Sequence, residues 1–313
     1  FDYTQENYTR MLWVAEGLTD YYEDRLLRQA GLITENDFLQ RLADDITELQ
    51  ARPGRRVQSV AEASFDAWIK FYQANENTLN TTVSYYTKGK ILGALLDLEI
   101  RHRTAGARSL DDVMRTLYHD FYQERDVGYS EAEFRHLCER MAGGDLSEFF
   151  DRYVYGTAEL DYDRFFNVAG LRLAPIKRAD DIVDFGAEVH NQEGRVLVAS
   201  VIEGSPAYQG GVYARDEIVA LDGRRVSFDD FLERLQAKKP GESITLTIAR
   251  QEIRQTIDVV LSQSSMTEYR ILPVAEPTAE QHSLYQGWVL AARTRRSHTS
   301  MNQVVQQAVG FVR

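Results

Sequence analysis

Residues 13–22 read Trp13-Val14-Ala15-Glu16-Gly17-Leu18-Thr19-Asp20-Tyr21-Tyr22, a run in which one carboxylate falls in the middle of an apolar helical pattern. A charge there is costly to bury unless it is paired or bound to a metal, so Glu16 is the first candidate functional residue. Asp20 follows one turn later on the same face. Gly17 takes away the neighbouring side chain, which lets another helix approach closely. The plainer alternative is that both carboxylates are solvated face residues.

Around this run, residues 6 to about 170 carry helical periodicity. Residues 6–30 place Leu12, Ala15, Leu18, Tyr22, Leu26 and Leu27 near a 3.6 period, with Gly31 as a C-cap. Thr34 and Asp37 have capping-box spacing ahead of FLQRLADDITEL, and Arg52-Pro53-Gly54 breaks that helix. Residues 60–72 read as a short helix with Phe65, Trp68, Ile69 and Tyr72 on one side. Residues 83–102 form a strong helix whose face of Ile91, Leu92, Leu95, Leu96 and Leu98 suits burial. Further helices read as 109–123, 130–141 and 145–154, with N-cap spacing at Ser109/Asp112 and Ser130/Glu133. No strand pattern precedes residue 165. Near Leu171 the character changes, and Pro175 with the charged stretch KRADD reads as a linker.

The stretch Tyr85-Tyr86-Thr87-Lys88-Gly89 opens the 83–102 helix. A tyrosine hydroxyl aimed at developing negative charge is a catalytic contact; a tyrosine pair packing against the first helix is the structural alternative. Lys88 reads as an ion-pair or helix-start residue. Downstream, RVLVASVI, EIVALDG, SITLTIAR and QTIDVVL are short β-rich runs divided by turn residues, with one helical run at 228–237. ILPVAEPTAEQHSLYQGWVL reads as a packed extension and ARTRRSHTSMNQ as a mobile tail.

Composition limits the function classes. The chain has 313 residues, 43% hydrophobic and 27% charged, enough for two globular domains. Thirty-six basic against 48 acidic residues give a net charge of −12, which argues against nucleic acid or an anionic membrane as partner. No stretch reaches the ~18 apolar residues of a membrane span. The single cysteine, Cys138, excludes an internal disulfide and a cysteine zinc site. The sequence opens on Phe1 without a signal-peptide pattern, which reads as a truncated or processed chain, so cytoplasmic and periplasmic locations both stay open.

FDYTQENYTRMLWVAEGLTDYYEDRLLRQAGLI, SYYTKGKILGALLDLEIR and a β-rich module, in this order, resemble the glycyl aminopeptidase family over Phe1 to Trp288. The resemblance implies a gluzincin fold, one catalytic zinc, and removal of N-terminal glycine or alanine from peptide substrates. It implies Glu16 as the third zinc ligand, Asp20 as the acceptor of a liganding histidine's N–H, and Tyr86, or alternatively Tyr85, as the oxyanion donor. The six histidines, His102, His119, His136, His190, His282 and His298, form no H-x-x-x-H pair. Both histidine ligands and the base must then lie upstream, and this chain alone is expected to be inactive and zinc-poor.

The third constellation is Gly204-Ser205-Pro206-Ala207, then Gly210-Gly211-Val212, then Arg215-Asp216-Glu217-Ile218. It resembles the PDZ signature, with Arg215 where the family has glycine. The resemblance implies a carboxylate-binding loop at Phe185-Gly186-Ala187, residues 228–237 as the groove helix, and peptide C-termini as ligands. The expected architecture is multidomain α + β: a mainly helical catalytic-lobe segment over 1–175, a small PDZ-like β-barrel domain over 179–262, and an extension and tail over 263–313. The alternative function is a non-catalytic peptide-binding scaffold.

Overall fold

In the computed structural model the described residues are 4–176, 183–263 and 267–290. The KRADD stretch and the ARTRRSHTSMNQ tail lie outside them.

The helical lobe is built around one helix. In chain order the elements are a π-helical turn Trp13–Gly17, α1 Leu18–Gln29, α2 Glu35–Ala51, α3 Val60–Phe65, α4 Thr78–Thr81, α5 Tyr85–Arg103, α6 Leu110–Thr116, α7 Glu131–Ala142, α8 Ser147–Phe149 and α9 Tyr162–Asn167. Helix α5 is buried nearly all round, from Tyr85 to Arg101, and the others pack about it. Its start is fixed by Ser84, whose hydroxyl accepts from Thr87 N. The capping pairs Thr34/Asp37, Ser109/Asp112 and Ser130/Glu133 all form reciprocal boxes. Gly31 has φ +73°, the left-handed value that a residue just past a helix end adopts.

Three local expectations are corrected. Residues 6–11 are not helical; the helix begins at Leu12 and the π-helical turn that follows it, where Ser64 Oγ accepts from Trp13 N at 3.0 Å. Helix α3 stops at Phe65 rather than running to 72, and residues 66–73 fold as successive turns. Pro175 is not in a linker: it lies in strand β1 Leu171–Ile176, which pairs antiparallel with strand β10 Glu268–Pro273, Pro175 opposite Tyr269. A two-stranded ribbon has free edges, so the missing proline N–H costs no ladder bond.

Between β1 and β10 lies a second core. Strands β2 Val183–Asp184, β3 Ala187–Gln192, β4 Arg195–Val201, β5 Glu217–Leu221, β6 Arg224–Arg225, β7 Ser243–Arg250, β8 Ile253–Val260 and β9 Ser262–Gln263 surround helices α10 Pro206–Gln209 and α11 Phe228–Gln236. The main sheet is antiparallel in the order β3-β4-β5-β7-β8, with β6 on β5, and β2 pairs β9. Val196, Val198, Ile218, Phe231, Ile244, Leu246 and Val259 fill its core. Arg215 indeed takes a glycine's conformation, at φ +73°. Asp216 beside it is buried and held by Arg250, Nε and Nη2 each at 2.8 Å.

After β10 the chain returns to the helical lobe. Helix α12 Ala279–Val289 buries Trp288, whose Nε1 donates to Tyr21 Oη at 2.9 Å. Tyr21 donates to Asp97 at 2.7 Å, and Asp97 also accepts from Arg101 Nε at 3.0 Å and Leu110 N at 2.9 Å. Arg25 closes this network with a bidentate pair to Asp111 and a bond to the Trp288 carbonyl at 2.7 Å. The charges are buried but each has partners, which is the condition for tolerating them.

The tightest contact in the lobe is glycine on glycine. A Cβ on Gly17 would sit 2.6 Å from Gly89 Cα and 2.7 Å from the Tyr85 carbonyl oxygen. Both obstacles are backbone, so Gly17→Ala is expected to cost about 2–3 kcal/mol, the range of an overpacked core. The urea midpoint measures it; a shift no larger than that of an exposed-face alanine would mean the helices separate freely.

Candidate functional site

The glycine contact brings the π-helical turn against the first turn of α5, and so brings Glu16 and Tyr86 together. Glu16 is half-buried and has no cationic partner within 4 Å among the described residues. Its nearest functional neighbour is the Tyr86 phenol. Burial first, and then the Glu16 charge, raise Tyr86 above the ordinary tyrosine value. The hydroxyl is therefore a neutral donor at physiological pH. The turn is one of three π-helical segments among the described residues, the others being Leu117–Gln123 and Phe150–Val154.

Tyr85 is fully buried, and its hydroxyl lies 3.3 Å from Tyr72 Oη. Its ring lies tilted against that of Tyr86, centroids 4.7 Å apart, and its hydroxyl also interacts with the Tyr86 hydroxyl. Tyr72, together with Phe71, whose ring lies 4.9 Å from Tyr85 and 5.8 Å from Tyr86, completes the wall. The sequence reading passed over Tyr72 and Phe71 as members of the site. The available signal was the aromatic run Phe65–Tyr72, too apolar for the surface turn it occupies.

Asp20 lines an adjoining acidic cleft with Glu23, Asp44 and Asp45. Burial raises its pKa; Lys90 opposes this, while Glu23 and Glu16 add to it. Lys90 is committed elsewhere, bridging Asp24 and Asp45 at 2.7 Å each. Among the described residues, no group of three or more His, Cys, Asp or Glu side chains is arranged to hold a metal. Among the described residues, the histidine rings that form hydrogen bonds reach Gln123 (His119) and Gln286 (His282).

Lys88 lies in the first turn of α5, where its N–H donates to the Ser84 carbonyl at 3.0 Å, but it is not the ion-pair residue its position also suggested. It is 2% exposed and forms no ion pair among the described residues. The one charge supporting it, Glu159, is already held by Arg55 and Arg56 at 3.2 and 2.9 Å. Burial brings its amine down to about 8.

In the β-rich module, Phe185 and Gly186 are buried, and Gly186 has φ +73°; a Cβ there would meet Ser205 at 2.0 Å. The Gly186 carbonyl accepts from Ile202 N and from Ser205 Oγ, both at 2.9 Å. Ala187 then begins β3, an edge strand of the sheet. Helix α11 keeps Phe228, Leu232 and Leu235 partly buried against the same core. The segment that grips Gly186 is also the one that touches the lobe: Asn80 donates to the Val201 carbonyl at 2.8 Å and accepts from Glu203 N at 2.9 Å.

The comparisons agree with this two-part plan. Residues 1–92 match the family model of the M61 glycyl aminopeptidase, and residues 183–261 match that of the PDZ domain. The chain thus carries a segment similar to the M61 glycyl aminopeptidase family, followed by a PDZ domain. A crystal structure of an aminopeptidase N family protein from Idiomarina loihiensis is similar over 92% of this chain and 50% of that one, with 28% identity and a TM-score of 0.80. A probable CtpA-like serine protease of Staphylococcus haemolyticus is 25% identical over 210 residues, 63% of this chain and 38% of the relative. The carboxy-terminal processing protease CtpA of Bacillus subtilis is 30% identical over 112 residues, 31% of this chain and 24% of the relative. The chain spans less than two fifths of these two curated relatives. No serine hydroxyl bonds a histidine ring among the described residues.

An amine held at about 8 instead of 10.5 binds fewer protons in the folded than in the unfolded chain between those pH values. Stability therefore rises with pH across that window, and the full penalty, about 3 kcal/mol at most, applies below it. Lys88→Met is expected to raise stability at pH 7 by roughly 1–3 kcal/mol and to flatten that rise. Urea unfolding at pH 7 and pH 10 checks it; an equal gain at both values would mean the amine is not the cause.

Proposed function

We propose that this chain is the downstream part of a zinc aminopeptidase that releases glycine or alanine from the N-terminus of peptides. The observation that carries the reading is the placement of Glu16: a half-buried carboxylate without a cation, set beside a protonated tyrosine by a contact that only glycine permits. That donor set fits zinc, which accepts one carboxylate oxygen beside two imidazoles in catalytic sites. The imidazoles and the general base belong to polypeptide outside this chain.

Zinc bound there would polarise the scissile carbonyl and lower the pKa of its water. The chain's own residues do the rest. Glu16 offers its oxygen to the metal. Asp20, one turn on and with its pKa raised by burial, would take the free N–H of an imidazole ligand and fix its tautomer. Tyr86 keeps its proton and donates it as a hydrogen bond to the oxygen that gains charge. Tyr85 and Tyr72 hold the ring in place.

A second reading concerns the PDZ domain. Strand β3 is an edge, and α11, which packs against the neighbouring β4, has a half-buried apolar face; an edge strand with such a helix is what a peptide C-terminus needs for strand addition. In that reading the module binds peptides whether or not the lobe is catalytic.

The test uses the complete gene product. Glu16→Ala is expected to lose stoichiometric zinc, measured by metal analysis after dialysis; zinc retained at one equivalent removes Glu16 from the site. Tyr86→Phe is expected to keep the metal and lower kcat on a glycyl substrate about 10²–10³-fold with little change in KM, the signature of a lost oxyanion donor.

A further inference from the structure

Residues 66–73 expose a cluster of large apolar side chains next to the candidate site. Helix α3 ends at Phe65, and the chain turns through bonds from Ile69 N and Lys70 N to the Asp66 carbonyl, at 3.0 and 2.9 Å, and from Tyr72 N to the Ala67 carbonyl at 3.0 Å. Ala67 is buried and pins the turn. The turn thereby presents Trp68, Ile69, Phe71 and Tyr72 outward, each more than a third exposed, with Trp68 at 45%.

These side chains form a shelf rather than scattered contacts. Trp68 lies 5.8 Å from the Tyr72 ring, and Tyr72 lies 5.4 Å from Phe71. Phe71 in turn packs on both Tyr85 and Tyr86. The only charges in the turn, Lys70 and Asp66, neutralise each other at 2.8 Å. Contiguous exposed apolar surface of this kind marks a binding site. Its continuity with the Tyr86 donor says what binds: a group on the molecule whose carbonyl Tyr86 faces. The shelf is broad, aromatic and without net charge, so it suits a large apolar side chain.

We propose that Trp68, Ile69, Phe71 and Tyr72 form a subsite for a large apolar side chain that follows the scissile bond of the peptide substrate. The inference rests on the assignment of Tyr86 as oxyanion donor. It makes the enzyme selective on both sides of the bond, small before it and large after it. Burying a phenylalanine where an alanine would leave the shelf wet gives about a 10- to 100-fold difference in kcat/KM.

Trp68 also reports on the site, because Trp13 and Trp288 are each 1% exposed. The difference in acrylamide quenching between the complete protein and its Trp68→Phe variant isolates the Trp68 signal. Glycyl-phenylalaninamide is expected to protect that signal at concentrations where glycyl-alaninamide does not. In turnover, glycyl-phenylalaninamide is expected to exceed glycyl-alaninamide by at least tenfold in kcat/KM, mostly through KM. Trp68→Ser with Tyr72→Ser should bring that preference to within about twofold while the zinc content is kept. Protection without turnover of either peptide would sink the aminopeptidase reading and, with it, the assignment of the shelf to the side chain after the scissile bond, leaving an apolar binding surface only. Turnover without a phenylalanine preference would overturn the shelf alone. So would a Trp68 signal already shielded in the peptide-free protein, whether by the rest of the polypeptide or, if shielding grows with protein concentration, by a second copy.

Discussion

Two hydrogen atoms, one on Gly17 and one on Gly89, set the distance on which the rest of the site depends. With any side chain at either position, backbone atoms would sit inside van der Waals contact. Because both are glycine, the turn bearing Glu16 lies directly on the turn bearing Tyr86. The charge of one then acts on the phenol of the other. Ser64 fixes the start of the first segment and Ser84 the start of the second, so neither can slide to relieve the contact. The chemistry of the pair follows from packing between two backbones.

Much of this was legible in the sequence. Capping residues announce themselves locally, since a hydroxyl and a carboxylate three residues apart satisfy a helix start whatever surrounds it. The Glu16 run also stood out, because a mid-helix carboxylate and a small-residue neighbour contradict ordinary patterning, whereas the tyrosine pair stood out only through its resemblance to a family motif. What stayed hidden depends on distant partners. Periodicity continues through residues 66–72, but the helix ends at Phe65 and the chain turns with Ala67 buried in the core. Pro175 reads as punctuation until its strand partner, nearly a hundred residues later, is known. Lys88 reads as an ion-pair residue because nothing in its neighbours reveals that α5 is buried nearly all round.

The joint between lobe and module is small and polar. One asparagine side chain spans it, with its oxygen and nitrogen each bonded to backbone of the segment that also clasps Gly186. Arg215 adds a solvent-exposed pair to Glu76 at 3.2 Å, and such pairs contribute little. Asn80 lies five residues before Tyr85, and the ligand-loop end of the PDZ domain is thus the end set nearest the tyrosine wall.

The ribbon of β1 and β10 gives the chain an unusual order of assembly. The PDZ domain leaves the lobe from one strand and re-enters it through that strand's antiparallel neighbour, so it is spliced into the lobe as a cassette. Residues that complete the lobe's own core, Ile271, Trp288 and Val289, are synthesised only after the cassette. Until the inserted domain folds and draws its two ends together, the lobe must close a long floppy loop to recruit its last helix, at an entropic cost that grows with the loop's length. A well-folded PDZ domain removes that cost. Each half therefore acts as a folding aid to the other, and weakening the inserted domain loosens a helix that it never touches.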